Sequence, residues 1–221
     1  MSNVRTRVKF CGINSVDAAK SAISAGADAL GLVFYEPSPR ALTLDKALEI
    51  ASVAHPFVTL VGLFVNAKKT EIEDVLARVP LQLLQFHGDE TPEFCESFRF
   101  PYIKAIRIGA DSRQAHRLDD YANAQAFLFD TYKKGHPGGT GEVFDWELLP
   151  AITRPLVLAG GLSSDNVAEA ISQVQPYAVD TSGGIESAPG VKDFDRMRAF
   201  IKQARLADLN HCESTNSEST N

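Results

Sequence analysis

Residues 155–184 read PLVLAGGLSSDNVAEAISQVQPYAVDTSGG, and the architecture follows from this stretch. An apolar run ends at Ala159, a turn follows at Gly160 and Gly161, Ser164 is suited to cap a helix, and a second apolar run ends near Ser182. Run, helix and run form one βαβ unit, the crossover that parallel strands require. Towards the N-terminus the unit recurs: VKFC ends at Cys11, ALGLVF at Phe34, TLVGLFV at Val65, LLQFH at His87, YIKAI at Ile106 and AFLFD at Asp130. These eight β-rich runs end 19 to 31 residues apart, room for one helix and two short loops each time. Most lack polar alternation, as strands buried on both faces do.

The intervening segments carry helical periodicity. SVDAAKSAISAGA sets Val16, Ala19 and Ile23 on one face, and TLDKALEIASVA repeats this with Leu44, Ala47, Leu48 and Ala51. Ser15, Thr43, Thr91 and Asp193 are further N-cap candidates, and Pro92 stands where a first turn tolerates it. Eight strands alternating with eight helices predict an α/β fold, a single (β/α)8 TIM barrel over residues 1–207. An open doubly wound sheet fits less well, because its edge strands would favour charge or proline and these runs are evenly apolar. The last helix is expected from about Asp193 to Leu206, and the polar, repetitive residues 208–221 are expected to form a short disordered tail.

Composition narrows the function. The formal charge of -6 and the scattered basic residues argue against a nucleic-acid partner. No apolar run approaches the ~20 residues that span a bilayer, so no membrane partner is expected. Three cysteines without metal-ligand spacing fit a reducing, cytoplasmic setting with no structural metal. Oligomeric state is open between monomer and homodimer.

A barrel of this type works at the C-terminal ends of its strands, where Cys11, His87 and Asp130 each end a run. Cys11 reads either as packing or as a base, and strand alternation sets Lys9 on its face, where an ammonium favours the thiolate. Asp130 reads as a loop cap or an acid, with Phe127 and Phe129 as the apolar surround that would raise its pKa. His87 either binds substrate or pairs locally with Asp89 and Glu90. Arg40 either pairs with Glu36 or Asp45 or clamps a carboxylate. Gly138, Gly139 and Gly141 enrich the loop after strand six, while Gly160, Gly161, Ser182 and Gly183 make turns at strands seven and eight, where barrels often hold phosphate on N–H groups backed by a short helix.

VKFCG, GADALGLVFYEPSPR, VGLFVN, LQFHGDE, FLFDT, GGTGEVFDW, LAGGLSSDNV and AVDTSGGIES occur in this order across about 200 residues and together resemble the phosphoribosylanthranilate isomerase family of tryptophan biosynthesis. The resemblance implies an Amadori rearrangement without a cofactor, on a small phosphorylated substrate. It implies Cys11 as general base and Asp130 as general acid, and Arg40 on the anthranilate carboxylate. His87, Gly138, Gly139, Gly141, Gly160, Gly161, Asp180, Ser182 and Gly183 would bind the rest of the substrate, under mobile loops after strands one and six. Gly183 stands where that family more often has a second serine, so a hydroxyl is missing there while the N–H remains. Other readings are a different phosphate-binding barrel, a lyase or an aldolase with Lys9 or Lys104 as Schiff base, or a non-catalytic phosphometabolite sensor.

Overall fold

The computed structural model of the chain describes residues 5–108, 118–131 and 145–218. Each of the eight apolar runs is a strand: β1 Arg7–Cys11, β2 Ala29–Val33, β3 Thr59–Phe64, β4 Leu83–Phe86, β5 Tyr102–Ile108, β6 Ala126–Thr131, β7 Leu156–Leu158 and β8 Ala178–Thr181. They pair in chain order, all parallel, and β8 closes on β1 from Arg7↔Ala178 to Phe10↔Thr181. The closed eight-stranded barrel is the predicted fold.

The helices are α1 Val16–Ala25, α2 Leu44–Ala51, α3 Lys69–Arg78, α4 Pro92–Glu96, α5 Val167–Val174 and α6 Phe194–Glu218. Ser15, Thr43 and Thr91 cap α1, α2 and α4 through their side-chain oxygens, as the sequence predicts, and Asp193 accepts the N–H of Arg196 at the start of α6. At α5 the cap falls on Asn166 instead of Ser164. The Asn166 amide accepts from Ser163 N–H at 2.9 Å and donates to the Gly161 carbonyl at 3.0 Å, so it binds the preceding turn.

Two expectations are corrected. Among the described residues, units five and six carry 3-10 turns, at 118–120 and Trp146–Leu148, where α-helices were expected. Pro150 follows the second closely and cannot continue a helix. The last helix, expected to end at Leu206, runs to Glu218. Ala207 is buried, and the Asp208 carboxylate takes both the N–H and the hydroxyl of Thr6, so the packed part of α6 extends past Leu206. Beyond that point no Gly or Pro interrupts the chain before Glu218, and each added residue closes another helical bond.

Period-two alternation sorts the strand side chains into two shells. Val8, Phe10, Leu30, Leu32, Phe86 and Phe129 pack outward against the helices. Small apolar residues from β5 to β8, Ile103, Ala105, Ala126, Leu128, Val157, Ala159 and Ala178, fill the barrel interior. β1, β4 and β8 also turn buried polar side chains inward: Lys9, Gln85 and Asp180. That polar half leads up to the mouth.

Candidate active site

Cys11 is the last residue of β1 and is 6% exposed. Alternation puts Lys9 on its face, and both side chains lie against the bare Cα of Gly31, where a Cβ would come within 2.8 Å of Sγ and 3.0 Å of Nζ. Burial pushes the Cys11 thiol up, and this outweighs the downward pull of the Lys9 ammonium. The thiolate assistance expected from Lys9 is therefore present but is not the larger effect. Asp180 accounts for part of this, because its carboxylate accepts from Lys9 Nζ at 2.9 Å. Burial opposes charge on Lys9, yet Asp180 and Cys11 hold it protonated, with its pKa raised. Asp180 thus serves Lys9 inside the barrel.

Asp130 ends the inward face of β6, in line with Ala126 and Leu128. Phe127 and Phe129, expected around its carboxylate, point to the outer shell, because odd and even positions of a strand face opposite ways. Its neighbours are polar. Oδ2 lies 3.2 Å from His87 Nε2, and Oδ1 accepts the Thr131 N–H at 2.8 Å. His87 turns its other ring nitrogen to the Gln85 amide at 2.9 Å. The local partners considered for His87 are engaged elsewhere. Glu90 takes the N–H groups of Asn66 and Gly88 and pairs with Lys104, and Asp89 lies 3.9 Å from Arg107.

Gly160 and Gly161 both take left-handed φ values, +83° and +67°, which carry the backbone sharply across the mouth. Among the described residues, no acceptor takes the N–H of Gly160, Gly161 or Gly183. Thr181 Oγ1 donates to the Leu162 carbonyl at 2.6 Å and joins the two turns. The strand order sets these turns, on β7 and β8, between Asp130 on β6 and Cys11 on β1. A helix directly behind the β8 turn was expected, but a two-stranded hairpin, β9 Glu186–Ala188 and β10 Val191–Lys192, stands there before α6.

Arg40 pairs with neither Glu36 nor Asp45. Its Nε and Nη2 donate to the two carboxylate oxygens of Glu186 at 2.8 and 2.7 Å, and Asp45 is met by Arg78. Lys192 Nζ reaches Glu186 Oε1 at 2.8 Å, the Cys11 carbonyl at 2.7 Å, and the Ser182 carbonyl and hydroxyl at 3.0 and 3.2 Å. Between these cations the Glu186 carboxyl, which burial would raise, is held at about 2. The loop after β1, expected to be mobile, is tied by Asn14 to the Gly190 carbonyl at 2.9 Å. Gly138, Gly139 and Gly141 lie outside the described residues.

The profile described as N-(5'phosphoribosyl)anthranilate (PRA) isomerase matches residues 8–203. The chain belongs to the PRA isomerase family. It is 53% identical over 206 residues, 93% of its length, to the whole of an N-(5'-phosphoribosyl)anthranilate isomerase of Pseudomonas fluorescens. The crystal structure of phosphoribosyl anthranilate isomerase from Thermus thermophilus superposes with a TM-score of 0.81 at 36% identity, over 92% of this chain and 100% of that one. A second solved structure, at 38% identity and a TM-score of 0.77 over 91% and 99% of the chains, is a phosphoribosyl anthranilate isomerase in complex with reduced 1-(o-carboxyphenylamino)-1-deoxyribulose 5-phosphate. As a member of this family the chain is an isomerase of tryptophan biosynthesis, an aldose-ketose isomerase.

The lysine readings fare differently in this PRA isomerase fold. Lys104 points to the outer shell and donates to the carbonyls of Phe86 and Gly88 and to Glu90, so it is structural and has no route to a substrate carbonyl. Cys95 is fully buried with its thiol pushed up to about 12, which leaves Cys11 as the cysteine of the mouth among the described residues. Gln85, Glu186 and Lys192 were missed in the sequence. Gln85 was findable as the inward neighbour of His87 two residues on, and the Pro189-Gly190 turn between Glu186 and Lys192 marks a hairpin.

Proposed function

We propose that the chain converts N-(5-phosphoribosyl)anthranilate to 1-(2-carboxyphenylamino)-1-deoxyribulose 5-phosphate with Asp130 as general acid and Cys11 as general base. The observation that carries this reading is the strand order: the acid strand and the base strand flank the two strands whose glycine turns offer N–H groups to phosphate. Phosphate on Gly160, Gly161, Ser182 and Gly183 would anchor the sugar between the two groups. Asp130, with His87 Nε2 at 3.2 Å, protonates the ribose ring oxygen, and the bond from that oxygen to C1 breaks to give a Schiff base. Cys11 takes the C2 proton, and the electron pair moves to C1–C2 to form an enolamine. Tautomerisation leaves a ketone at C2 and a methylene at C1. C2 is oxidised as C1 is reduced, so the rearrangement balances internally.

Burial favours the neutral thiol on Cys11, and Lys9 is the group that meets the thiolate when it forms. Arg40 is read as the partner of the anthranilate carboxylate. Cys11 and Cys95 are unpaired, which fits a reducing, cytoplasmic setting.

The test is the loss of anthranilate-type fluorescence when the protein meets freshly generated phosphoribosylanthranilate. The wild-type chain consumes it, and Asp130→Asn and Cys11→Ser each slow consumption by about 10²- to 10⁴-fold, the range for removal of a general acid or base. Near-normal turnover in both variants overturns the assignment.

A further inference from the structure

Arg40 and Glu186 lie far apart in sequence, yet Glu186 takes the whole Nε/Nη2 edge of the guanidinium with both of its oxygens. A guanidinium has five N–H groups in a planar fork, so a carboxylate on that edge leaves the Nη1/Nη2 edge to a second one. Among the described residues nothing but Glu186 bonds to the side chain. The stem of Arg40 is fixed as well. It lies across Gly12, the residue after Cys11, so closely that a Cβ there would come within 2.8 Å of Arg40 Cδ.

Glu186 is itself held from several directions. Its side chain is 4% exposed, Lys192 Nζ meets Oε1, and Arg196 donates to its carbonyl. The hairpin that carries it is tied to the loop after β1 through Asn14 and the Gly190 carbonyl. The same lysine grips the Cys11 and Ser182 carbonyls. One anion therefore sits between two cations, and one positive charge is left over at the mouth.

We propose that Glu186 is a positioning residue: by holding Arg40 along one edge over Gly12, it presents the other edge to the carboxylate of the substrate's aromatic ring and so sets the preference for a carboxylated aryl group. This rests on the function proposed above. Without Glu186, Arg40 keeps its charge but must fix its fork from many rotamers each time substrate binds. With Glu186, the fork is formed in advance. A merely structural Arg40–Glu186 pair would fasten the hairpin and treat all ligands alike.

The experiment measures dissociation constants of the full chain for two probes, reduced 1-(2-carboxyphenylamino)-1-deoxyribulose 5-phosphate and its phenylamino counterpart without the ring carboxylate. The wild-type chain binds the carboxylated probe more tightly. Glu186→Gln reduces that preference by about tenfold or more, the scale of a charge-assisted hydrogen bond. Its affinity for the phenylamino probe changes less than about twofold on the same scale, since phosphate and sugar contacts remain. Arg40→Ala abolishes the preference, and adding Glu186→Gln to it lowers the preference no further.

Should Glu186→Gln fail to fold, Glu186→Asp keeps a carboxylate on the hairpin but is one methylene too short to hold both contacts to Arg40, and the same fall in preference is expected of it. An unchanged preference in a folded variant, or an equal loss for both probes, overturns the proposal. A wild-type chain that binds both probes equally overturns it too while leaving the isomerase reading to the fluorescence assay. Binding of neither probe removes the proposed residue assignment and this inference with it.

Discussion

The two sides of the barrel mouth are built differently. Around Cys11 on β1 the chain gathers full charges: Lys9 with Asp180, and Arg40 and Lys192 with Glu186. Around Asp130 on β6 it sets a hydrogen-bonded chain of side chains, Gln85 to His87 to Asp130. Fixed charges hold shape and potential, whereas a histidine beside a carboxyl moves protons with little rearrangement. Under the proposed function, the β1 side would hold the anionic ring and meet a thiolate, and the β6 side would give a proton and take it back.

The largest expected difference between the sides is in stability. Lys192→Met removes a buried cation with four acceptors and is expected to cost roughly 3 kcal/mol, the low end for a broken buried pair because Arg40 still holds Glu186. Urea unfolding followed by circular dichroism checks this, and a cost under about 1 kcal/mol, typical of an exposed pair, would erase the contrast.

A smaller effect sharpens the comparison through pH. The Glu186 carboxyl ionises at about 2 in the folded chain against 4.5 ordinarily, so it binds fewer protons folded than unfolded across that interval. Its contribution is complete above pH 4.5 and is lost as pH falls toward about 2. The urea midpoint of the wild-type chain should therefore fall across this window more steeply than that of Glu186→Gln, and equal slopes would contradict the assigned cluster.

The smallest change belongs to the β6 side. His87→Gln is expected to alter stability by no more than about 1.5 kcal/mol, the value of one or two neutral hydrogen bonds. Its mark should appear in the pH dependence of turnover instead, where the limb assigned to the acid moves. An unmoved profile would separate His87 from the proton on Asp130.

The barrel was legible because a strand buried on both faces writes itself as a short apolar run, and eight such runs from VKFC to AVDT became eight strands. Cys11, His87 and Asp130 were legible because polar residues ending such runs fall at the mouth. Phe127 and Phe129 were misjudged as neighbours of Asp130, although alternation already assigns them to the other face. The Arg40–Glu186 pair left no local trace, since each residue had nearer partners of opposite charge in the sequence and only barrel closure brings them together. The course of α6 past Leu206 was hidden by polarity, which reports burial and says little about whether a formed helix continues.

The pairing of Thr6 with Asp208 and of β1 with β8 means that the first strand of the barrel waits for the last. The edge of β1 that pairs with β8 has no partner until nearly the whole chain has been synthesised, and Glu186 and Lys192 follow β8 in the chain. The side of the mouth that depends most on charge is therefore the last to be assembled, and a chain stopped before residue 186 has its thiol without the hairpin that ties Arg40 beside it.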